Sequence, residues 1–262
     1  MLPLLSTTAL QVLEQSRRED TDAKELADIV QMDPALTAHV LRTANSTAFC
    51  PAEPIISLSQ AISRLGLHQL SAIVVAVVVK EEVFRLPGFE KELEALWKHS
   101  ALAGGWSSEI ARLRRANVES AFLAGLLHEV GKPVVLSALS SIEELSSCSL
   151  DAGIYADWLV EFHEPVACRL LTEWGFPERL VEAVTNHHNP EGASDYPQDA
   201  KTTCLADLLA HWSASEDEDE REVLEKELRA HPSVAGLNLY TDDMDNLLSA
   251  EERVRETAEA FQ

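Results

Sequence analysis

An all-α fold is what this sequence predicts, on three observations. Apolar residues recur at helical spacing in segment after segment, as with Leu26, Ile29 and Val30, then Leu36, Val40 and Leu41. Helix-start residues stand just ahead of those stripes. No run alternates apolar and polar residues between glycine turns, so no sheet is expected. The 262 residues are 46% hydrophobic, enough for a substantial core in one large domain or two small ones.

The punctuation supports each helix in turn. Asp22 is an acidic cap with Glu25 in the first turn after it. Asp33-Pro34 pairs an N-cap with proline at the first helical position and opens PALTAHVLRTANS. Ser57 and Gln60 form a capping-box pattern that opens SLSQAISRLG, and Gly66 closes it. Residues 68–83 contain IVVAVVV, whose β-branching favours a strand. Length and helical flanks favour a buried helix, and a lone strand would have no partner, so a helix is predicted. A long helix is expected over 90–115, carrying Leu93, Leu96, Trp97, Trp106 and Ile110. Asn117 can cap the next, whose core is AFLAGLLHEVGK at 121–132, with Gly131 as its left-handed terminator. Residues 165–174 and 177–188 each begin with proline, and 201–212 form a further short helix. There is no internal repeat and no glycine-rich phosphate loop.

Composition excludes several functions. The formal charge is −23, from 21 Lys+Arg against 44 Asp+Glu. Such a surface repels phosphate backbones and anionic lipid, so neither direct nucleic-acid binding nor a membrane partner is expected. The longest purely apolar run, 72–79, falls far short of the ~20 residues that span a bilayer. Cys50, Cys148, Cys168 and Cys204 are scattered, and no signal-peptide pattern occupies residues 1–10. They read as reduced thiols of a cytoplasmic protein. From Ser213 the composition turns acidic, in SASEDEDEREVLEKEL, and residues 213–262 read as a charged extension with an apolar segment at 234–240 able to dock.

The chemistry-bearing stretch is AFLAGLLHEVGK. An apolar helix that ends in His128 and Glu129 buries groups costing on the order of 2–7 kcal/mol if unpartnered. A hydrogen-bonded pair at a helix end would answer that cost. So would a metal site, since imidazole nitrogen and carboxylate oxygen both ligate divalent first-row ions. The other candidates are His99, His163, His187, His188 and Asp207. Singly, each reads as a hydrogen-bonded core residue. Together, five histidines and two carboxylates fall at the ends or inner faces of successive helices, the way helical bundles build metal sites. His39, His68, His211 and His231 fall outside the pattern and read as packing or surface residues.

In this order the sequence resembles the HDOD family, a branch of the HD metal-dependent phosphohydrolase superfamily found as output modules of bacterial signalling proteins. DPALTAHVLRTANSTAF, ISLSQAISRLGLHQLSAIVVAVVV, WKHS, AFLAGLLHEVGK, LLTEWGFPERLVEAVTNHHNP and ADLLA carry the resemblance, over roughly residues 2–212. It implies an N-terminal helical subdomain (1–90) packed on an HD-type helical bundle (91–212), with 213–262 as the acidic extension. It also implies one or two divalent ions, iron, manganese or zinc. His99, His128, Glu129 and Asp207 would hold the first, and His163, His187 and His188 the second. Lys132 matches the lysine of the HDxGK stretch in related cyclic-dinucleotide phosphodiesterases, near the phosphate.

Two departures bear on activity. The signature His-Asp is His128-Glu129 here, and the extra methylene moves the carboxylate by about 1.5 Å. A role bridging two ions would suffer most, so Glu129→Asp is expected to raise metal occupancy and turnover. HHNPEGASDYP at 187–197 only echoes the HHExxxGxGYP segment of those phosphodiesterases, with Asn189 and Asp195 replacing Glu and Gly. The expected function is therefore a signalling output module acting through protein contacts, on a partner with a basic face. The alternative is a metal-dependent phosphohydrolase with a nucleotide or cyclic-dinucleotide ligand. The sequence leaves the oligomeric state open.

Overall fold

Every residue from Leu70 to Val79 is buried, all but Ser71 of them apolar, and the run lies in helix α5 (Leu67–Glu82), not a strand. The computed structural model describes residues 7–16, 23–49, 53–147 and 150–261, and contains no strand among them. Before α5 come α1 (Thr7–Ser16), α2 (Ala23–Gln31), α3 (Pro34–Ala44) and α4 (Leu58–Leu65). Of these, α1, α3 and α4 pack on α5, as does the later helix at Val118–Leu127, and this burial overrides the weak helix propensity of its β-branched side chains. The caps form as their residues dictate. Asp33 Oδ1 accepts from Ala35 N at 2.9 Å and Leu36 N at 3.0 Å. Ser57 Oγ accepts from Gln60 N at 3.2 Å, while Gln60 Oε1 reaches back to Ile56 N rather than to Ser57 itself. Gly66 turns with φ +83°, a region costly to any residue with a Cβ. Asp22, Cys50 and Cys148 lie outside the described residues.

The second half is built on α6 (Glu90–Leu113) and α7 (Val118–Leu127), which Asn117 caps through Ser120 N at 2.8 Å. Then follow α8 (Gly131–Ser146), α9 (Ala152–Glu173), α10 (Glu178–Thr185), a 3₁₀ turn at Pro190–Gly192 and α11 (Pro197–Ala214). Two expectations are corrected here. Gly131 does not terminate a helix in the left-handed region. The chain turns over 128–130, and Gly131 begins α8. A Cβ on it would stand 2.0 Å from the His163 carbonyl oxygen, so the glycine is there for close approach of α8 to α9. Pro165 does not start a helix either. It sits inside α9, where its missing N–H leaves one intrahelical bond unmade.

The acidic segment is ordered as α12 (Glu218–Ala230), α13 (Pro232–Gly236), α14 (Thr241–Leu248) and α15 (Glu251–Glu259). Asp217 caps α12, and Glu218, Asp219 and Glu220 occupy its first turn, where the helix dipole favours negative charge. Many of the segment's apolar residues are buried, though Val223 and Tyr240 stay exposed. Leu228, Val234, Leu237, Met244, Leu247 and Val254 join Trp106, Ile110 and Leu209 in one buried cluster. Trp106 Nε1 donates to Ser213 Oγ at 2.8 Å, and Arg253 grips the buried Glu109 carboxylate through two bonds of 3.1 and 2.7 Å. A larger cluster runs unbroken from Val12 and α5 through Phe122 and Leu171 to Phe261. The Phe261 ring packs against Phe49 and Phe122, and its carbonyl accepts from Trp97 Nε1 at 2.8 Å and Lys80 Nζ at 3.0 Å.

The combined stretch Val118–Ser146 is long and apolar enough to cross a membrane by composition, yet 72% of its most apolar window is buried inside the protein, as expected of a core helix. Phe261→Ala is expected to destabilise the fold by about 3 kcal/mol, from lost transfer energy and a cavity between the two halves. Urea unfolding midpoints of the variant and parent check this.

Candidate metal centre

His99 comes from the inner face of α6, His128 and Glu129 from the turn between α7 and α8, His163 from the middle of α9, His187 and His188 from the turn after α10, and Asp207 from α11. The structure brings all seven together. His99 Nε2 lies 2.9 Å from Asp207 Oδ1 and 3.3 Å from His128 Nε2, and His128 Nε2 lies 3.5 Å from the same Asp207 oxygen. Glu129 stands between this group and a second, with Oε1 3.9 Å from His128 Nε2 and Oε2 3.9 Å from His163 Nε2. Donor atoms of Glu129, His163, His187 and His188 all fall within 4.8 Å of one another, as do those of His99, His128 and Glu129. The Lys132 ammonium binds the Glu129 carboxylate directly, three residues along the same turn.

Three of the imidazoles, those of His128, His163 and His187, are held in one common manner. Nδ1–H of His128 donates to Gly125 O at 2.6 Å, that of His163 to Leu159 O at 2.7 Å, and that of His187 to Val184 O at 2.7 Å. Each bond runs to a carbonyl three or four residues back and fixes the ring; it leaves Nε2 of His163 and His187 as a bare lone pair facing inward, while Nε2 of His128 faces Asp207 and His99. This second bond is what orients metal-binding histidines. Among the described residues, Glu129 Oε2, His163 Nε2 and His187 Nε2 are buried with no hydrogen-bond partner. Three acceptors that converge without a donor leave a buried cost of several kcal/mol in total, which a cation at their centre removes.

Electrostatics match. Burial would raise the Glu129 pKa, but the charges of His128, Lys132 and His163 outweigh it and hold the carboxyl at about 2. For Asp207 burial likewise opposes ionisation, and hydrogen bonds from His128 and His99 carry it far below the usual carboxylate range. Burial pushes His99 and His163 down, and pushes His187, together with the His128 and His188 charges, to about 3. Burial also opposes a charged His128, but the Asp207 hydrogen bond and the Glu129 charge outweigh it and raise its pKa. The site thus holds two ionised carboxylates among imidazoles that are mostly neutral, which is the donor set of a first-row divalent ion. A metal would displace the proton that His128 otherwise attracts.

Two findings go beyond the sequence reading. His211, read there as packing or surface, sits on the rim, its Nε2 3.5 Å from Asp207 Oδ1 and its ring 4.5 Å from that of His99. The i, i+4 spacing from Asp207 on a helix was the available signal. Glu129 also faces both groups, one carboxylate oxygen 3.9 Å from a nitrogen of each, an arrangement that favours loss rather than gain of metal binding when the side chain is shortened. The inner donors are sealed, at 0% exposure for His128, 1% for His163 and His187 and 3% for Glu129.

The chain belongs to the HDOD domain family, whose model matches residues 2–190. Solved structures share the fold. A Shewanella amazonensis protein named provisionally as a phosphohydrolase is 23% identical, with a TM-score of 0.77 over 100% of this chain and 95% of that one. Another from the same organism, named provisionally as a metal-dependent phosphohydrolase, is 19% identical, with a TM-score of 0.75 over 98% and 92%. A Marinobacter aquaeolei protein named provisionally as a signal transduction protein is 20% identical, with a TM-score of 0.72 over 99% and 60%. An uncharacterized Treponema pallidum protein is 22% identical over 220 residues, 80% of this chain and 42% of the relative, so the chain spans less than half that protein's length.

Glu129→Asp is expected to weaken binding of zinc or manganese about tenfold, since a retracted carboxylate no longer reaches His163. Isothermal titration of metal-free protein measures it. Gly131→Ala is expected to cost about 1–3 kcal/mol of stability by overpacking and to weaken the same binding by pushing His163 aside. Denaturant melts and the same titration read both effects.

Proposed function

We propose that this chain is a signal-transduction output module that acts through protein contacts and holds one or two divalent ions, iron, manganese or zinc, in its His/carboxylate core. The observation that carries the metal is the convergence of Glu129 Oε2, His163 Nε2 and His187 Nε2, all buried and all unpartnered among the described residues. His99, His128, Glu129 and Asp207 would hold the first ion, and His163, His187 and His188 the second. A contact-based role is supported by the seal over the inner donors and by Lys132, whose ammonium is engaged at Glu129 rather than free for a phosphate. The surface charge of −23 suits a protein partner with a basic face and disfavours nucleic acid. The thiols of Cys168 and Cys204 are free, in keeping with a reducing cytoplasmic setting.

Hydrolysis of a nucleotide or cyclic dinucleotide is the second reading, and one observation favours it. His188 and His211 open to solvent at the edges of the two groups, and Lys132 is 25% exposed beside them. A bound metal would there supply an activated water and charge neutralisation at phosphorus. Lys132 would leave Glu129 to hold a phosphate oxygen as a point charge.

Elemental analysis of protein purified without chelator or nickel is expected to find about one to two equivalents of a divalent metal. The same preparation is expected to release no nitrophenol from bis(p-nitrophenyl) phosphate and to leave cyclic dinucleotides intact. Hydrolysis that disappears in both His128→Ala and Lys132→Ala would overturn the contact-based reading in favour of the enzyme.

A further inference from the structure

We infer that His211 is a protein ligand of the first ion and takes the place given above to Glu129, so that the donors divide into two sets of three imidazoles and one carboxylate: His99, His128, His211 and Asp207, and His163, His187, His188 and Glu129. This rests on the metal-holding reading above. Three imidazole nitrogens surround one oxygen, Asp207 Oδ1: His99 Nε2 at 2.9 Å, His128 Nε2 at 3.5 Å and His211 Nε2 at 3.5 Å. Separations of 3.5 Å make poor hydrogen bonds. They are good separations between ligands, since atoms about 2.0–2.1 Å from a tetrahedral ion stand roughly 3.3 Å from one another. His99, Asp207 and His211 all offer donors within 4.8 Å of each other.

The helix delivers this arrangement. Asp207 and His211 lie one turn apart on α11 and share a face. The His211 side chain is 61% exposed and has no polar partner but Asp207 among the described residues, so its ring is free to turn toward an ion. An exposed ion pair of this kind would by itself contribute little. With His211 turned in, the first set closes at four protein donors, and Glu129, 3.9 Å from a nitrogen of either group, is left for the second set, toward which its unpartnered Oε2 points. Structural sites are closed in this way, whereas catalytic sites keep a position for water. The consequence is an ion that organises α6, α7 and α11 without presenting water to a substrate.

The test is a stepwise cobalt(II) titration of the metal-free full chain, comparing the parent with His211→Ala and His211→Phe. The phenylalanine keeps a ring against His99 and removes the nitrogen. Both variants are expected to lose the strong four-coordinate visible absorption of one equivalent and to bind that equivalent about 10- to 100-fold more weakly. If either variant keeps the parent spectrum and affinity, His211 is not a ligand and the inference fails while the metal reading stands. If the parent binds no cobalt, both fail together.

Discussion

Gly125 brings α7 so close to α6 that a Cβ there would stand 2.5 Å from the Ala103 carbonyl oxygen and 2.4 Å from Ser107 Oγ. Gly104, on the facing helix, has Phe122 at 3.1 Å from the same imagined atom. This contact between two backbones sets the distance at which everything beyond it is built. His99 lies just N-terminal of the crossing on α6 and His128 just C-terminal of it on α7, so the 3.3 Å between their nitrogens follows from small residues placed elsewhere. Gly131 repeats the device one turn on and sets α8 against α9 at the carbonyl of His163 itself. His99, His163 and Asp207 are therefore positioned on packed helices, which hold geometry better than loops, and His128, Glu129, His187 and His188 stand in short turns at the ends of such helices.

Against that rigid frame stands an electrostatic deficit. Glu129 and Asp207 are ionised and buried, one ammonium from Lys132 answers part of their charge, and the imidazoles around them are mostly held neutral by burial. A core of this kind is expensive in isolation and sound around a cation. The backbone carbonyls of Gly125, Leu159 and Val184 complete the arrangement by choosing the tautomer of each ring. Packing, charge and hydrogen bonding all point to one centre.

Much of this was legible in the sequence. Asp33-Pro34, Ser57, Gly66 and Asn117 announce helix ends by local chemistry, and each acts where it stands. The seven donors were legible as a set because polar residues on apolar faces need a common reason. What escaped had non-local causes. Gly131 looks like a terminator until the carbonyl of His163, thirty-two residues away, is seen against it. Pro165 looks like a helix start because proline usually is one, and only packing keeps α9 continuous through it. His211 is unremarkable until Asp207 is known to face His99. The acidic tail hides its core residues at helical spacing beneath a charge density that argues for solvent.

The family match stops at residue 190, and the fold does not. Asp207, His211 and the buried cover over Trp106 and Ile110 all come from beyond it. A boundary drawn at the end of the match would remove a carboxylate from the donor cluster and strip an apolar wall from α6 in the same cut. The physical unit is therefore longer than the matched one, and a fragment ending at residue 190 would lose the acidic helices that wall one side of α6.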